Sequence, residues 1–516
     1  MDFIGPAVAE VRRDGNLCSD AACQLARPNF CVRLDMLDNR LKMCAEMVSG
    51  KGIAVDVGTD HGHLAAELVM SGKCSKVIAS DVNEKPLGSA RNTIEKNGIS
   101  DKVELVLSDG LENIDIDGVT DIIIAGMGGE TIAKILTAPI AARGEERRFI
   151  LQPMTKAEIL RRELYRLGYR ITEEKAVEDG DKLYVVMCAV EDTRCELLTE
   201  FKSLYGFFEE DDVVGRKYRK CESNRLKLIS ENLEKSGHHE DAIHYSALAY
   251  KMVNGVSKVS FDDIYNYLDA AYPIVLQESW DNSGYLVESR RSDCDTVLLS
   301  LDITKDSVNE AYKKRAGLVI SHHPVIFDPL KMVNSYTPVS ELIYNDIAAI
   351  CMHTNVDIAK CGTNGVILKK LQSKCEIVSV EPFEELGGGN NLGWIIELKN
   401  AVVNREFGEI LKGIFECKYV RMTSETHSVK RIAFCSGSGG SMLGLAVKKG
   451  CDALLTGDVK HDVWIDSLNK GFTVYDCGHF HTENPVLWEF RRALESKFPQ
   501  LDVEIAENST DPCDYI

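Results

Sequence analysis

The chain holds 17 cysteines, an odd number, and no two of them form a Cys-x-x-Cys pair. Disulfide frameworks and ribbon-type zinc sites both need short regular spacings, so reduced, scattered thiols are the reading that remains. Cys18, Cys23 and Cys31 form a loose cluster with no histidine beside it, and it is assigned no role. No apolar run reaches the ~18 residues of a membrane span. The first residues, MDFIGPAVAEVRRDG, lack the charged-then-apolar order of a signal peptide, so the expected compartment is the cytoplasm. Positive charge is also short: 60 Lys and Arg face 80 Asp and Glu, a net charge of −20 shared by both halves. That excludes broad non-specific nucleic-acid binding but leaves room for a local basic patch. Internal repeats and low-complexity tracts are absent.

What is present is ordinary globular sequence, 44% hydrophobic and 27% charged over 516 residues, enough for two to four domains. Residues 1–32 show no periodicity and read as an extension. From 33 to 192 helical and strand patterns alternate. The strand candidates are GIAVDVG, KVIASDV, VELVLSDG, TDIIIAGMGG and RRFILQPM. Such alternation predicts a parallel sheet covered on both faces. Residues 193–256 read as helices and a linker without strands. A second α/β pattern occupies 257–516, with DTVLLSLDI, AGLVISHHP, IAAICMHTN, NLGWIIEL, VKRIAFCSG, DALLTGD and FTVYDCGH as strands.

Two places carry chemistry. In VDVGTDHGHLA a strand runs through a tight turn into a helix, and Gly58 and Gly62 let a ligand approach the backbone. Asp56, Asp81 and Asp109 end three successive strands, and Asp60 lies within the turn. A carboxylate after the second strand accepts hydrogen bonds from ribose hydroxyls. The loop is not G-x-G-x-x-G, and several carboxylates suit a cationic cofactor better than a diphosphate. That chemistry points to S-adenosylmethionine.

On these residues, together with NRL at 39–41, SDVNEKPL, SDGL, IIIAGMGGE, ILQP and EDGDKLYVV, the first half resembles the bacterial tRNA (adenine(22)-N1)-methyltransferase family. The resemblance implies a class I methyltransferase (Rossmann-like) fold with a helical extension, and transfer of a methyl group to adenine N1 in the D-loop region of tRNA. Gly126, Met127 and Gly128 would then line the methyl-transfer pocket. The base must leave its stack to enter it. Arg216, Lys217, Arg219 and Lys220 are the candidate tRNA contacts, with Arg161, Arg162, Arg166 and Arg170 a second basic run.

In the second half, SHHP, HTNVD and GHFHTE each follow an apolar strand, so three strand ends deliver histidine or carboxylate to one sheet edge. Adjacent His322 and His323 can serve two neighbouring metals more easily than one. His479 and Glu483 are four apart and share a face if a helix begins there. Mixed nitrogen and oxygen ligands suit Zn²⁺, Fe²⁺ or Mn²⁺. His353, His461, His481 and Asp302 read as outer or rim residues. With ESWDNSGYLV, LSLDIT, SGSGGS and LLTGDVKHD, these motifs make residues 257–516 similar to the Nif-three-like family, often labelled GTP cyclohydrolase I type 2. That resemblance implies two α/β lobes, a dinuclear site of His322, His323, Asp357, His479 and Glu483, a small-molecule or nucleotide substrate of unsettled identity, and hexameric assembly. The expectation is thus a bifunctional fusion with no membrane association. The alternative is a small-molecule methyltransferase joined to a non-catalytic metal-binding assembly module.

Overall fold

The computed structural model describes residues 37–50, 52–138, 147–192, 194, 196–424 and 426–513. The extension 1–32 and its three cysteines lie outside them. Among the described residues, no helix is long and apolar enough to cross a membrane.

The first half opens with α1 (Asn39–Met47), capped by the Asp38 carboxylate on the Leu41 amide. Strand and helix then alternate through β1 (Ile53–Val57), α2 (His63–Met70), β2 (Lys76–Asp81), α3 (Glu84–Asn97) and β3 (Val103–Leu107). They continue through β4 (Val119–Gly128), α4 (Gly129–Leu136), β5 (Arg148–Thr155) and α5 (Ala157–Arg166). In α3, Leu87, Ala90 and Ile94 recur at helical spacing and face the sheet, and Gly98 ends the helix in the left-handed region. The sheet order is β3-β2-β1-β4-β5, closed by β7 (Lys182–Glu191) and β6 (Tyr169–Asp179). β1 lies parallel to both β2 and β4, so the strand order reverses there, which places a ligand crevice at their carboxyl ends. The sheet is mixed rather than purely parallel: β7 runs antiparallel to β5 and β6. A hairpin needs only the two-residue link Gly180–Asp181, whereas a parallel return needs a crossover.

Three helices follow, α6 (Glu200–Tyr205), α7 (Val213–Lys235) and α8 (His239–Asn254). α6 is short: the Thr199 hydroxyl caps its start on the Lys202 amide, and Gly206 at φ 70° ends it. α6 and α8 dock on the second half through buried charge. Glu200 meets His244 at 3.1 Å and Arg491 at 3.1 Å, His244 meets Glu495 at 2.9 Å, and Lys251 meets Asp502 at 3.3 Å. The Glu200 amide donates to Glu504.

The second half has two lobes. The first comprises β8 (Val259–Ser260), α9 (Phe261–Ala271), β9 (Gly284–Val287), β10 (Asp293–Cys294), β11 (Thr296–Ser300) and α10 (Lys305–Lys313). It goes on through β12 (Leu318–Ser321), α11 (Pro338–Tyr344), β13 (Ala348–Cys351) and α12 (Thr354–Ile358). The chain then builds the second lobe from α13 (Thr363–Lys374), β14 (Ile377–Gly387), β15 (Asn390–Val403), α14 (Asn404–Phe415), β16 (Arg421–Met422) and β17 (Ser428–Phe434). α15 (Leu443–Lys448), β18 (Ala453–Thr456), α16 (His461–Lys470), β19 (Thr473–Asp476) and α17 (His479–Glu483) complete it. α18 (Val486–Lys497) and β20 (Asp502–Ile505) return to the first lobe. The two sheets have the orders β20-β11-β12-β13-β9 and β14-β15-β17-β18-β19-β16. Every residue of β11, β12, β13, β18 and β19 is buried, as strands covered on both faces require.

Candidate functional sites

At the switch point of the first sheet lies a crevice of about 840 Å³, lined by Val57, Gly58, Asp81, Ser108, Asp109 and Met127 among others. Its floor is set by backbone. The amides of Gly58 and Thr59 both donate to the Ser80 carbonyl, at 2.8 and 2.9 Å, which bends β1 sharply at its end. Gly58 has φ 81°, and a Cβ there would sit 2.2 Å from Met127 Cε. Gly62 has φ 69°, and a Cβ there would press on the Ala90 backbone at 3.1 Å. Conformation requires glycine at both positions, and at Gly62 the close backbone approach requires it as well, whereas the Met127 side-chain end beside Gly58 could move aside.

Asp81 and Asp109 line the crevice, whereas Asp56 is buried beside it and Asp60 points outward with its side chain 78% exposed. Burial raises the Asp56 carboxyl to about 6, against a smaller opposing hydrogen bond from Thr59. Asp81 Oδ1 accepts from the Asn83 amide at 2.7 Å, which fixes the carboxylate at the strand end. Met127 alone of the three AGMGG candidates is among the crevice-lining residues; Gly126 donates its amide to Gln152 Oε1 at 3.1 Å. Gln152 is fully buried and also accepts from Arg40 at 2.8 Å. Arg40 of NRL, Gln152 of ILQP and Gly126 thus meet behind the crevice. Both residues lie in the segments that carry the methyltransferase resemblance, yet local sequence pattern assigns neither a role.

The basic runs divide. Arg219 turns inward, stacks on Tyr205 at 3.7 Å and donates to the Tyr205 and Phe208 carbonyls, so it holds the helical layer instead of meeting phosphate. Arg161 is fully buried against Glu174 at 2.7 Å. Lys217 pairs with Glu178 at 2.6 Å, Arg216 bonds the Glu210 carbonyl, and Lys220 is exposed. These three remain at the surface.

The second site is assembled across both lobes. His322 and His323 follow β12, Asp357 sits on α12 after β13, and His479 and Glu483 are one turn apart on α17 after β19. The local cause is the same each time: a buried apolar strand ends at the sheet edge and its polar successors emerge together. Each of the three histidines has Nδ1 tied to an acceptor: His322 to the Met352 carbonyl at 2.9 Å, His323 to Asp302 at 2.8 Å, His479 to Asp458 at 3.0 Å. Their Nε2 atoms converge on Glu483 Oε2, at 3.7, 2.9 and 2.9 Å respectively. Ser436 donates to Asp357 at 3.0 Å. Gly437 leaves room for the carboxylate, since a Cβ there would lie 2.1 Å from Glu483 Oε1.

Electrostatics follow from this convergence. Burial alone pushes Glu483 up, but His322, His323 and His479 outweigh it and hold its carboxyl well below the usual range. Burial lowers His323, yet its bonds to Asp302 and Glu483 lift it to about 10. Burial raises Asp357, with His322 only partly offsetting it.

The donor atoms fall into three groups with spacings within 4.8 Å: His323, His479 and Glu483; His322, Asp357 and Glu483; and His322, His323 and His353. Glu483 is common to the first two. His322 Nε2 is buried without a hydrogen bond, 3.8 Å from Asp357, an orphaned donor set that a cation would satisfy. The residues present therefore fit two divalent ions. His353, read from sequence as a rim residue, joins the cluster, with Nδ1 bound to the buried Asp281 at 2.7 Å. Its signal was available: it too is the first polar residue after a strand. His461 is exposed, and His481 pairs with Asp511 at 3.2 Å.

Residues 259–512 match the Duf34/NIF3 (NGG1p interacting factor 3) family, and residues 37–187 match a methyltransferase domain. The chain is 30% identical over 266 residues to a GTP cyclohydrolase 1 type 2 homolog of Clostridium perfringens, covering 50% of this chain and all of that one. It is 35% identical over 153 residues to the tRNA (adenine(22)-N(1))-methyltransferase of Bacillus subtilis, covering 30% of this chain and 64% of that one. The solved structure of the Bacillus subtilis m1A22 tRNA methyltransferase aligns with 42% of this chain and 98% of its own, at 26% identity and a TM-score of 0.37.

Proposed function

Because the chain belongs to the Duf34/NIF3 family through its second half and carries a methyltransferase domain in its first, we propose that it is a bifunctional fusion: an S-adenosylmethionine-dependent tRNA adenine-N1 methyltransferase joined to a dinuclear-metal hydrolase. The proposed division is 33–192 for the methyltransferase, 193–256 for the helical extension and 257–516 for the metal domain. The observation that carries the first activity is the crevice at the switch point, with Asp81 fixed for ribose hydroxyls and Asp109 at the next strand end. When bound, S-adenosylmethionine supplies an electrophilic methyl group on a sulfonium. Adenine N1 has its own lone pair, so the protein needs no strong base; its work is alignment. Met127 narrows the crevice against Gly58, while Gln152 holds the Gly126 amide and so fixes the strand end beside the reacting atoms. Arg216, Lys217 and Lys220 are the surface proposed to meet tRNA phosphates.

In the second half, His323, His479 and Glu483 would hold one metal, and His322, Asp357 and Glu483 the other. Divalent ions there supply Lewis acidity toward a carbonyl or phosphoryl group. The chain contributes orientation: Asp302, Asp458 and the Met352 carbonyl fix each imidazole with Nε2 inward before metal arrives. Zn²⁺, Fe²⁺ or Mn²⁺ fits the donors, the substrate is a small molecule or nucleotide, and assembly through this half as a hexamer is part of the proposal.

The test uses methyl-labelled cofactor with unmodified tRNA and with a metabolite extract. Label on adenine N1 of tRNA is expected. Label only in small molecules overturns the tRNA reading. Replacing Arg216, Lys217 and Lys220 should lower the salt slope of tRNA binding by about three, without changing cofactor affinity.

A further inference from the structure

Trp280 is 58% exposed and Phe327 49% exposed. Their ring centroids lie 6.0 Å apart, and Trp280 also meets the His353 ring at 6.1 Å, edge to face. His353 in turn lies 5.4 Å from His322 and 5.5 Å from His323. An aromatic row therefore runs from solvent to the metal-binding cluster.

The loop that presents Trp280 is pinned on every side. The Glu278 amide donates to Thr354 Oγ1 at 3.0 Å, and Ser283 donates its amide to Gln277 at 2.9 Å. Asp281, with a fully buried carboxylate, accepts from the Thr354 amide at 3.1 Å and binds His353 Nδ1. Asn282 donates to the Ile326 carbonyl at 2.6 Å, tying the Trp280 loop to the segment that carries Phe327. Glu278 before Trp280 and Asp281 and Asn282 after it are thus spent on holding the loop, while the largest apolar side chain is left in water. Such an arrangement loses hydrophobic burial in the free protein, and it offers a ligand a rigid surface that costs little entropy to engage.

We propose that Trp280, backed by Phe327, is the stacking surface for a planar heteroaromatic ring of the substrate, whose anionic group reaches the metal cluster past His353. The inference rests on the reading of that cluster as a metal centre. At 6.0 Å the two rings are already at packing distance (~4.5–7 Å), so they form one continuous patch and not a slot between them. The ring stacks on the patch, and the group it carries points inward. A substrate of this class joins a base-sized heterocycle to a phosphate through a short linker.

The experiment titrates the Mn²⁺-loaded full chain with inosine 5′-monophosphate and with ribose 5-phosphate, which has the phosphate and no ring. S-adenosylhomocysteine fills the other crevice throughout, and only binding that requires Mn²⁺ is counted. Wild type should bind the nucleotide roughly 5- to 100-fold more tightly than the sugar phosphate, the range of one base stacked on an aromatic side chain. Trp280→Ala should bring that ratio close to one while leaving ribose 5-phosphate affinity unchanged, and Trp280→Phe should keep part of it. A wild-type ratio of one, or an unchanged ratio in Trp280→Ala, overturns the proposal. So does an unchanged ratio accompanied by a smaller sedimenting species, which would make the patch an assembly surface. If ribose 5-phosphate shows no Mn²⁺-dependent binding, it is the metal-centre reading that has failed, and the stacking surface falls with it.

Discussion

Asp56→Asn should make the first half more stable and a poorer cofactor binder at the same time. The carboxylate is 5% exposed, and burial raises it to about 6 from an ordinary 3.8. Below pH 3.8 both folded and unfolded chains hold the proton, and there is no penalty. Between 3.8 and about 6 the folded chain keeps a proton that the unfolded chain has released, so stability falls as pH rises. Above that window both states are ionised, and the whole penalty of about 3 kcal/mol applies. Asparagine keeps the shape and has no charge to desolvate. The variant should therefore match wild type near pH 4 and exceed it by about 3 kcal/mol at pH 8, an increase of about a hundredfold in the protection of slowly exchanging amides. Hydrogen exchange of β1 and β4, followed by mass spectrometry, reads this within the first half alone. S-adenosylmethionine should bind the variant more weakly, since a cation beside the crevice favours the charged carboxylate. A variant less stable than wild type at pH 8 would refute the burial argument. A variant more stable with unchanged cofactor affinity would refute the functional one.

Replacing Glu483 with Gln should lower bound metal at both positions, because Oε2 is the oxygen nearest His323 and His479 and also faces His322; His322→Ala should lower it mainly at one. Metal per chain after identical purification decides this, and equal content in all three proteins would remove the dinuclear site. Arg161→Ala should destabilise the first half by about 3–5 kcal/mol, since it strands Glu174 in a fully buried site; urea unfolding of the variant measures it. The docking of α6 and α8 on the second half should be pH-dependent from both sides. His244 is lowered by burial but raised overall by Glu200 and Glu495, so its contribution is full below about 6.5 and is lost as pH rises through its elevated value. Glu200, raised by burial but held at about 2 by His244 and Arg491, contributes above about 4.5 and loses that contribution as pH falls toward 2. Amide protection of α8 should therefore peak between those limits, and a flat profile would show that the network adds nothing.

Much of the histidine–carboxylate cluster was legible because its members obey short-range rules. Each follows an apolar strand within seven residues, and His479 and Glu483 are spaced by one helical turn, so sequence order already brings them to a common edge. The same holds for Gly58, Gly62 and Asp81, whose places in a strand–turn–helix unit follow from local pattern. Charge was not legible in this way. Arg219 and Arg161 sit in basic runs that look solvated, and only the packed structure shows that Tyr205 and Glu174 take them inward. Nor could sequence reveal that Asp56 lies buried while Asp60 faces water, that Asp281 orients His353, or that the helical extension is tied to the second half by Glu200 and His244. Backbone periodicity is a property of neighbours a few residues apart. The partner of a charge, and the water it loses, depend on residues tens to hundreds of positions away, and only tertiary packing chooses them.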